Sequence, residues 1–182
     1  MLKHHVLFEN RGKPMIILGI DPGTAKMGWG IIQYQKSQPK AGPPRAEKIK
    51  HLGHGLIKTP SSDSIGKRLA VLKEEVEHLL KEHKVDEVVV EKIFFNINKR
   101  SAISVGQALG IVHLAAAEFD IPVYEYNSLE VKLLLAGYGR ADKKVVQKEM
   151  KRRLRLKKHP TPVHAADALA AAFCHILKTH AV

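Results

Sequence analysis

Apolar residues come first in short continuous runs and only later at helical spacing. "MIILGID" (15–21) is an unbroken apolar run closed by a charge, the pattern of a central buried strand. "GWGIIQYQ" (28–35) follows across a short Pro/Gly turn, which predicts an antiparallel partner. A Pro/Gly/Lys loop over 36–46 leads to a third strand near "KIKHLGHGLIK" (48–58). In the segment 61–84, Ser and Asp supply caps, and Ile65, Leu69, Leu72, Val76 and Leu79 fall on one helical stripe. "VDEVVVEK" (85–92) returns to strand character and carries Glu91 near its end. A helix is predicted over 99–118 and a last strand over 121–126. The next helix spans 127–137, with Asn127 as its cap, Glu130 three residues on, and Gly137 as its stop. Two further helices are predicted over about 142–156 and 162–179. Three leading strands followed by alternating helices and strands describe an α/β fold, a mixed five-stranded sheet flanked by helices. Residues 1–14 read as an N-terminal extension or tag, ahead of a single domain over 15–182.

Charge narrows the choice of partner. The 182 residues carry a formal net charge of +12, and the stretch 143–158, "KKVVQKEMKRRLRLKK", holds nine Lys or Arg against Glu149 alone. Such density suits a surface that tracks phosphates, although a solvated helix face is the duller account. No apolar run approaches the ~20 residues of a membrane span, and the polar start contains no signal-peptide core. The single cysteine, Cys174, lies in "AAFCHIL" and reads as a small core residue. A cytoplasmic protein with no membrane partner is the expectation.

The candidate chemistry is acidic. Asp21 and Glu91 close two strands, the place where ligands gather on α/β sheets. His164 and Asp167, three apart, share one face of the last helix, in which "AADALAAA" offers small residues that let it lie close on the sheet. Converging carboxylates repel, and a hard divalent cation resolves the conflict. Two magnesium or manganese ions ~3.5–4 Å apart would clamp an in-line displacement at phosphorus. Each residue also has a plainer reading. Asp21 before Pro-Gly suits a turn cap, Glu91 a solvated strand end, and His164 a helix N-terminal residue with no ligand. For Asp167 the plain reading is weakest, because an unpaired carboxylate on an alanine face is costly to bury.

"ILGIDPGTAKMGWGII", "VVVEKIFF", "SVGQALGIV" and "HAADALAAA" together resemble the RuvC family of Holliday-junction resolvases, in order and spacing, over about 15–178. The resemblance implies a ribonuclease H-like fold and a homodimer that needs divalent metal, magnesium or manganese, with two ions per subunit. It implies an endodeoxyribonuclease that resolves four-way DNA junctions by paired symmetric nicks during recombination and repair, with RuvA and RuvB as partners. Asp21, Glu91 and Asp167 match the family's metal-binding carboxylates. His164 stands where many members have a fourth acidic residue, so it is expected to ligate metal or to carry protons, and imidazole tilts the preference toward manganese. Phe94 matches an aromatic that stacks on unpaired junction bases, and Lys132 and Lys143 match basic residues that face phosphates. Phe94 and Phe95 as core residues is the alternative, with one inward and one outward between the extremes. Two-fold junction symmetry calls for two sites related by a two-fold axis, and the helix over 99–118, with Gly106 and Gly110, is an interface candidate, with simple burial inside the domain as the plainer reading. Two rivals remain: a half of an actin-like sugar kinase, suggested by "GIDPGT", and a non-catalytic junction- or RNA-binding protein of the same fold.

Overall fold

In the computed structural model, which describes residues 13–36, 48–92 and 99–180, the apolar run becomes β1 (Met15–Asp21) at the middle of the sheet. The other strands are β2 (Lys26–Gln35), β3 (Lys48–Lys58), β4 (Glu87–Glu91) and β5 (Val123–Tyr126), in the order β3-β2-β1-β4-β5. β1 is antiparallel to β2 and parallel to β4, and β4 is parallel to β5, so the sheet is mixed as expected. β2 starts at Lys26, earlier than its apolar pattern suggests, because Met27 already pairs with Ile57 of β3.

Strand alternation sorts the side chains between two cores. Leu18, Ile20, Val88 and Val90 pack against α1 (Ile65–His83) and α2 (Lys99–Glu118). Ile17 and Val89 face the opposite way, toward α3 (Ser128–Ala136), α4 (Lys143–Arg153) and α5 (Val163–Thr179). Helices on both faces leave the central strands fully buried, which is why β1 and β4 read as continuous apolar runs. Cys174 is buried in the α5 core, and burial pushes its thiol up to about 12, so it is inert packing.

The caps agree in part. The Asn127 side chain accepts the Glu130 N–H at 2.8 Å, and Gly137 ends α3 with φ 84°. The Glu130 carboxylate, however, turns to Lys178. Ser64 precedes α1 without a side-chain cap bond, and Pro162 caps α5 from outside the first turn. α4 stops at Arg153, short of the expected 156, because Arg155 takes a left-handed φ of 52°. The expected extension over 1–14 lies outside the described residues except for 13 and 14, as does most of the loop over 36–46.

Candidate active site

Alternation along the strands brings Asp21 and Glu91 together. Asp21 points to the same face as Ile17, and Glu91 to the same face as Val89, so both carboxylates lie on the α5 side of the sheet. The pairing of Ile20 with Val90 runs parallel, and one step further along both strands are Asp21 and Glu91. α5 then lies unusually close. A methyl placed on Gly19 would sit 2.0 Å from the Ala168 carbonyl oxygen, and one on Gly28 only 2.2 Å from that of His164. Those two glycines let the alanine face of α5 touch the sheet backbone, which carries His164 and Asp167 to the carboxyl ends of β1 and β4.

His164 reaches across to Asp21, with Nδ1 2.6 Å from Oδ2. Lys143, the first residue of α4, holds its Nζ 3.3 Å from Asp167 Oδ2. Burial raises the Asp21 carboxyl above its usual range, opposed by the His164 bond and reinforced by the Asp167 charge. Glu91 is affected more, pushed up to about 7 first by burial and then by the charges of Asp21 and Asp167. Lys143 moves the other way: burial pulls its ammonium down, but Asp167, Asp21 and Glu91 outweigh this and raise it. Three carboxylates thus feel one another, and the two cationic or protonatable groups beside them only partly relieve the crowding. Hard oxygen donors plus one imidazole are a set suited to magnesium or manganese. Their oxygens do not gather as a trio within 4.8 Å, so the donors surround a cleft rather than a closed cage.

A small cleft there is lined by Glu91, Ser128, Lys132 and Asp167 with Val131, Val146 and Ala170, while Asp21 and His164 are not among its lining residues. Lys132 therefore joins the carboxylates, as does Lys143. Ser128 went unnoticed in the sequence, where "NSLE" reads as a cap; its hydroxyl bonds to Glu91 and favours the charged form. A second overlooked group fixes the turn after Asp21. Arg68 donates from Nε to Thr59 Oγ1 at 2.9 Å and from Nη2 to Thr24 Oγ1 at 3.3 Å, and Thr24 also bonds to Ser104 of α2. Phe94 and Phe95 lie outside the described residues. On α4 and beyond, Lys144, Lys148, Arg152, Arg155, Lys157 and Lys158 are exposed, while Val146 and Met150 are buried, so the basic stretch turns one face to solvent.

The family model described as "Crossover junction endodeoxyribonuclease RuvC" matches residues 17–175. The chain is similar to the crossover junction endodeoxyribonuclease RuvC of Clostridioides difficile, at 45% identity over 161 residues that cover 88% of this chain and 89% of that one. It is similar to the protein of the same name from Thermotoga maritima, at 45% identity over 165 residues, 91% of this chain and 92% of the other. Among solved structures it is similar to Thermus thermophilus RuvC, with 36% identity, a TM-score of 0.76, and coverage of 88% of this chain and 93% of that one. It is also similar to T. thermophilus RuvC in complex with Holliday junction substrate, with 35% identity, a TM-score of 0.77, and coverage of 88% and 92%. With the sheet order, the strand-end carboxylates and a family match over nearly the whole chain in agreement, this chain belongs to the RuvC family of crossover junction endodeoxyribonucleases.

Proposed function

We propose that this chain resolves four-way DNA junctions as a metal-dependent endodeoxyribonuclease, with Asp21, Glu91, Asp167 and His164 as its catalytic and metal-binding groups. The observation that carries this reading is the crowding of Glu91 at one end of the sheet, where burial and then the charges of Asp21 and Asp167 disfavour its carboxylate. A carboxylate disfavoured by burial and by acidic neighbours is costly to keep charged, and a divalent cation relieves that cost. Bound there, two magnesium or manganese ions supply an activated water and stabilise the leaving oxygen of the scissile phosphate. Asp21 and Glu91, on rigid strand ends, and Asp167, on a helix pressed against them, hold their oxygens fixed. His164 is oriented by Asp21 through Nδ1, which leaves Nε2 to ligate an ion or to carry a proton. Lys143 steadies Asp167 and, with Lys132, offers positive charge to the DNA backbone; the exposed basic residues of α4 and the segment after it extend that surface.

Phe94 is assigned to stacking on an unpaired junction base, a contact worth roughly 1–3 kcal/mol. A homodimer is the matching assembly, since paired nicks need two sites about a two-fold axis. Ile103, 64% exposed, and Leu114, 48% exposed, lie with exposed Gln107 and Gly110 along one stripe of α2, which supports that helix as the interface. RuvA and RuvB are the further partners that family membership implies. Among the described residues, no helix is long and apolar enough to cross a membrane. The non-catalytic reading has no support at the site, where the three carboxylates are all retained.

Cleavage of a synthetic four-way junction in magnesium and in manganese is the test. Asp21→Asn is expected to bind the junction while cutting ~10²–10³-fold more slowly. Unchanged cutting by that variant would remove Asp21 from the chemistry.

A further inference from the structure

The far end of the same helix carries a second group that the nuclease reaction does not use. Glu87 opens β4 on the face that Glu91 closes, so the two carboxylates sit at opposite ends of one strand edge. His175, fully buried on α5, bonds Glu87 Oε2 through Nε2 at 2.8 Å and meets the Tyr126 hydroxyl through Nδ1 at 2.8 Å. His180, which caps α5, points Nε2 at the same Oε2 from 3.6 Å. That distance is too long for a hydrogen bond, and His180 Nε2 is buried with no partner. Tyr34 fixes His180 by donating to its carbonyl at 3.0 Å, and the Tyr124 ring lies 4.3 Å from that of His175. Among the described residues, Glu87, His175 and His180 are the one trio of His, Cys, Asp or Glu whose ligand atoms all lie within 4.8 Å of one another.

We propose that Glu87, His175 and His180 form a second metal site, for zinc or a similar borderline transition ion, at the end of the sheet opposite the nuclease carboxylates. Two imidazole nitrogens and one carboxylate oxygen favour zinc, cobalt or nickel over magnesium, the reverse of the preference at Asp21 and Glu91. A four-coordinate zinc with bonds of ~2.0–2.1 Å spaces its ligands about 3.4 Å apart. The present 2.8 and 3.6 Å separations of Glu87 Oε2 from the two imidazole nitrogens bracket that value, and all three ligand atoms lie within 4.8 Å of one another. Water completes a set of three protein ligands. The Tyr126 hydroxyl supplies the outer hydrogen bond on which metal-bound histidines depend: with Nε2 on the ion, Nδ1–H donates to the Tyr126 oxygen. Burial pushes Glu87 up, but the His175 bond and the nearby His180 imidazole outweigh it and hold the carboxyl near 2, so a charged ligand is ready at neutral pH. An ion there gives His180 Nε2 the partner it lacks and ties the last turn of α5 to the start of β4.

The experiment uses the full chain, stripped with chelator and then saturated with magnesium so that the nuclease site is occupied. Cobalt(II) titration is expected to develop the visible bands of four-coordinate cobalt at one equivalent, bleached by zinc. Zinc at a hundredfold excess over its dissociation constant is expected to raise Tm by about 5–10 °C. His180→Ala and Glu87→Gln abolish both signals while magnesium-dependent junction cleavage persists, and Tyr126→Phe weakens zinc by ~10–100-fold. Absence of a one-equivalent cobalt signal in the wild-type chain overturns the proposal. So does binding that both His180→Ala and Glu87→Gln retain. Either result leaves the nuclease assignment standing, because that rests on cleavage.

Discussion

Glu91→Gln isolates the charge crowding at the nuclease site from the chemistry it serves. Without metal, the folded protein holds the Glu91 carboxyl at about 7, while the ordinary value is 4.5. The folded state therefore binds this proton more tightly than the unfolded chain. Its contribution to stability is fully present below pH 4.5 and is lost as pH rises through about 7. At roughly 1.4 kcal/mol for each pH unit between the two values, the loss at pH 8 is about 3 kcal/mol. That figure is an upper bound, since the cleft admits solvent on one side. Glutamine has no charge to suffer the penalty. In chelator at pH 8 the variant is expected to melt above the wild type by up to about 6–12 °C, and the gap should close below pH 4.5. Added magnesium should raise the wild-type melting temperature at pH 8 and leave the variant nearly unmoved. Differential scanning calorimetry across pH 4–8 measures both effects. A variant no more stable than the wild type at pH 8, or a gap that persists undiminished at pH 4, refutes the claim that burial and the charges of Asp21 and Asp167 disfavour the Glu91 carboxylate.

Gly19→Ala forces a methyl against the Ala168 carbonyl, so α5 must lift from β1; a loss of about 3 kcal/mol or more in denaturant melts is expected. At the same time magnesium-dependent cleavage should fall, because His164 and Asp167 ride on that helix. His164→Asp is expected to keep cleavage and His164→Ala to lose most of it, and full activity in the alanine variant would rule out both ligation and proton transfer. A double change of Ile103 and Leu114 to Glu should convert the proposed homodimer to monomer in sedimentation runs with the circular dichroism unchanged; a dimer that survives it moves the interface off α2.

What the sequence disclosed followed from short-range physics. Continuous apolar runs named the buried strands, spacing by three and four named the stripe of α1 from Leu69 to Leu79 although its first member, Ile65, is exposed, and Asn127 with Gly137 bracketed α3. Asp21 and Glu91 stood out because a charge closing an apolar run is expensive. What stayed hidden depends on contacts distant in sequence. Thr24 meets Ser104 across 80 positions, and His175 meets Glu87 across 88. Neither pair leaves a local trace, since Thr24 reads as turn chemistry and His175 as one polar residue in an alanine helix. Ser128 was obscured differently: a serine in the first helical turn has an adequate local explanation, and that explanation masked its bond to Glu91.

The valines of β4 explain why two sites of opposite character share one helix. Val88 and Val90 are committed to the α1 and α2 core, which leaves Glu87, Val89 and Glu91 for the α5 side. A slip of one residue in that pairing would turn Val88 and Val90 to the α5 side and both acids into the opposite core, so the register is strongly defended. Given that register, any helix close enough to bring Asp167 to Glu91 passes Glu87 about two turns later, and whatever side chain it offers there must satisfy a half-buried carboxylate. At the first end α5 offers an acid, and the charges repel until a hard cation enters. At the second it offers His175, backed by Tyr126 and His180, and the acid is held ionised among nitrogen donors. The different ion preferences proposed for the two ends thus follow from the residues that α5 and its neighbours offer at each end of one scaffold.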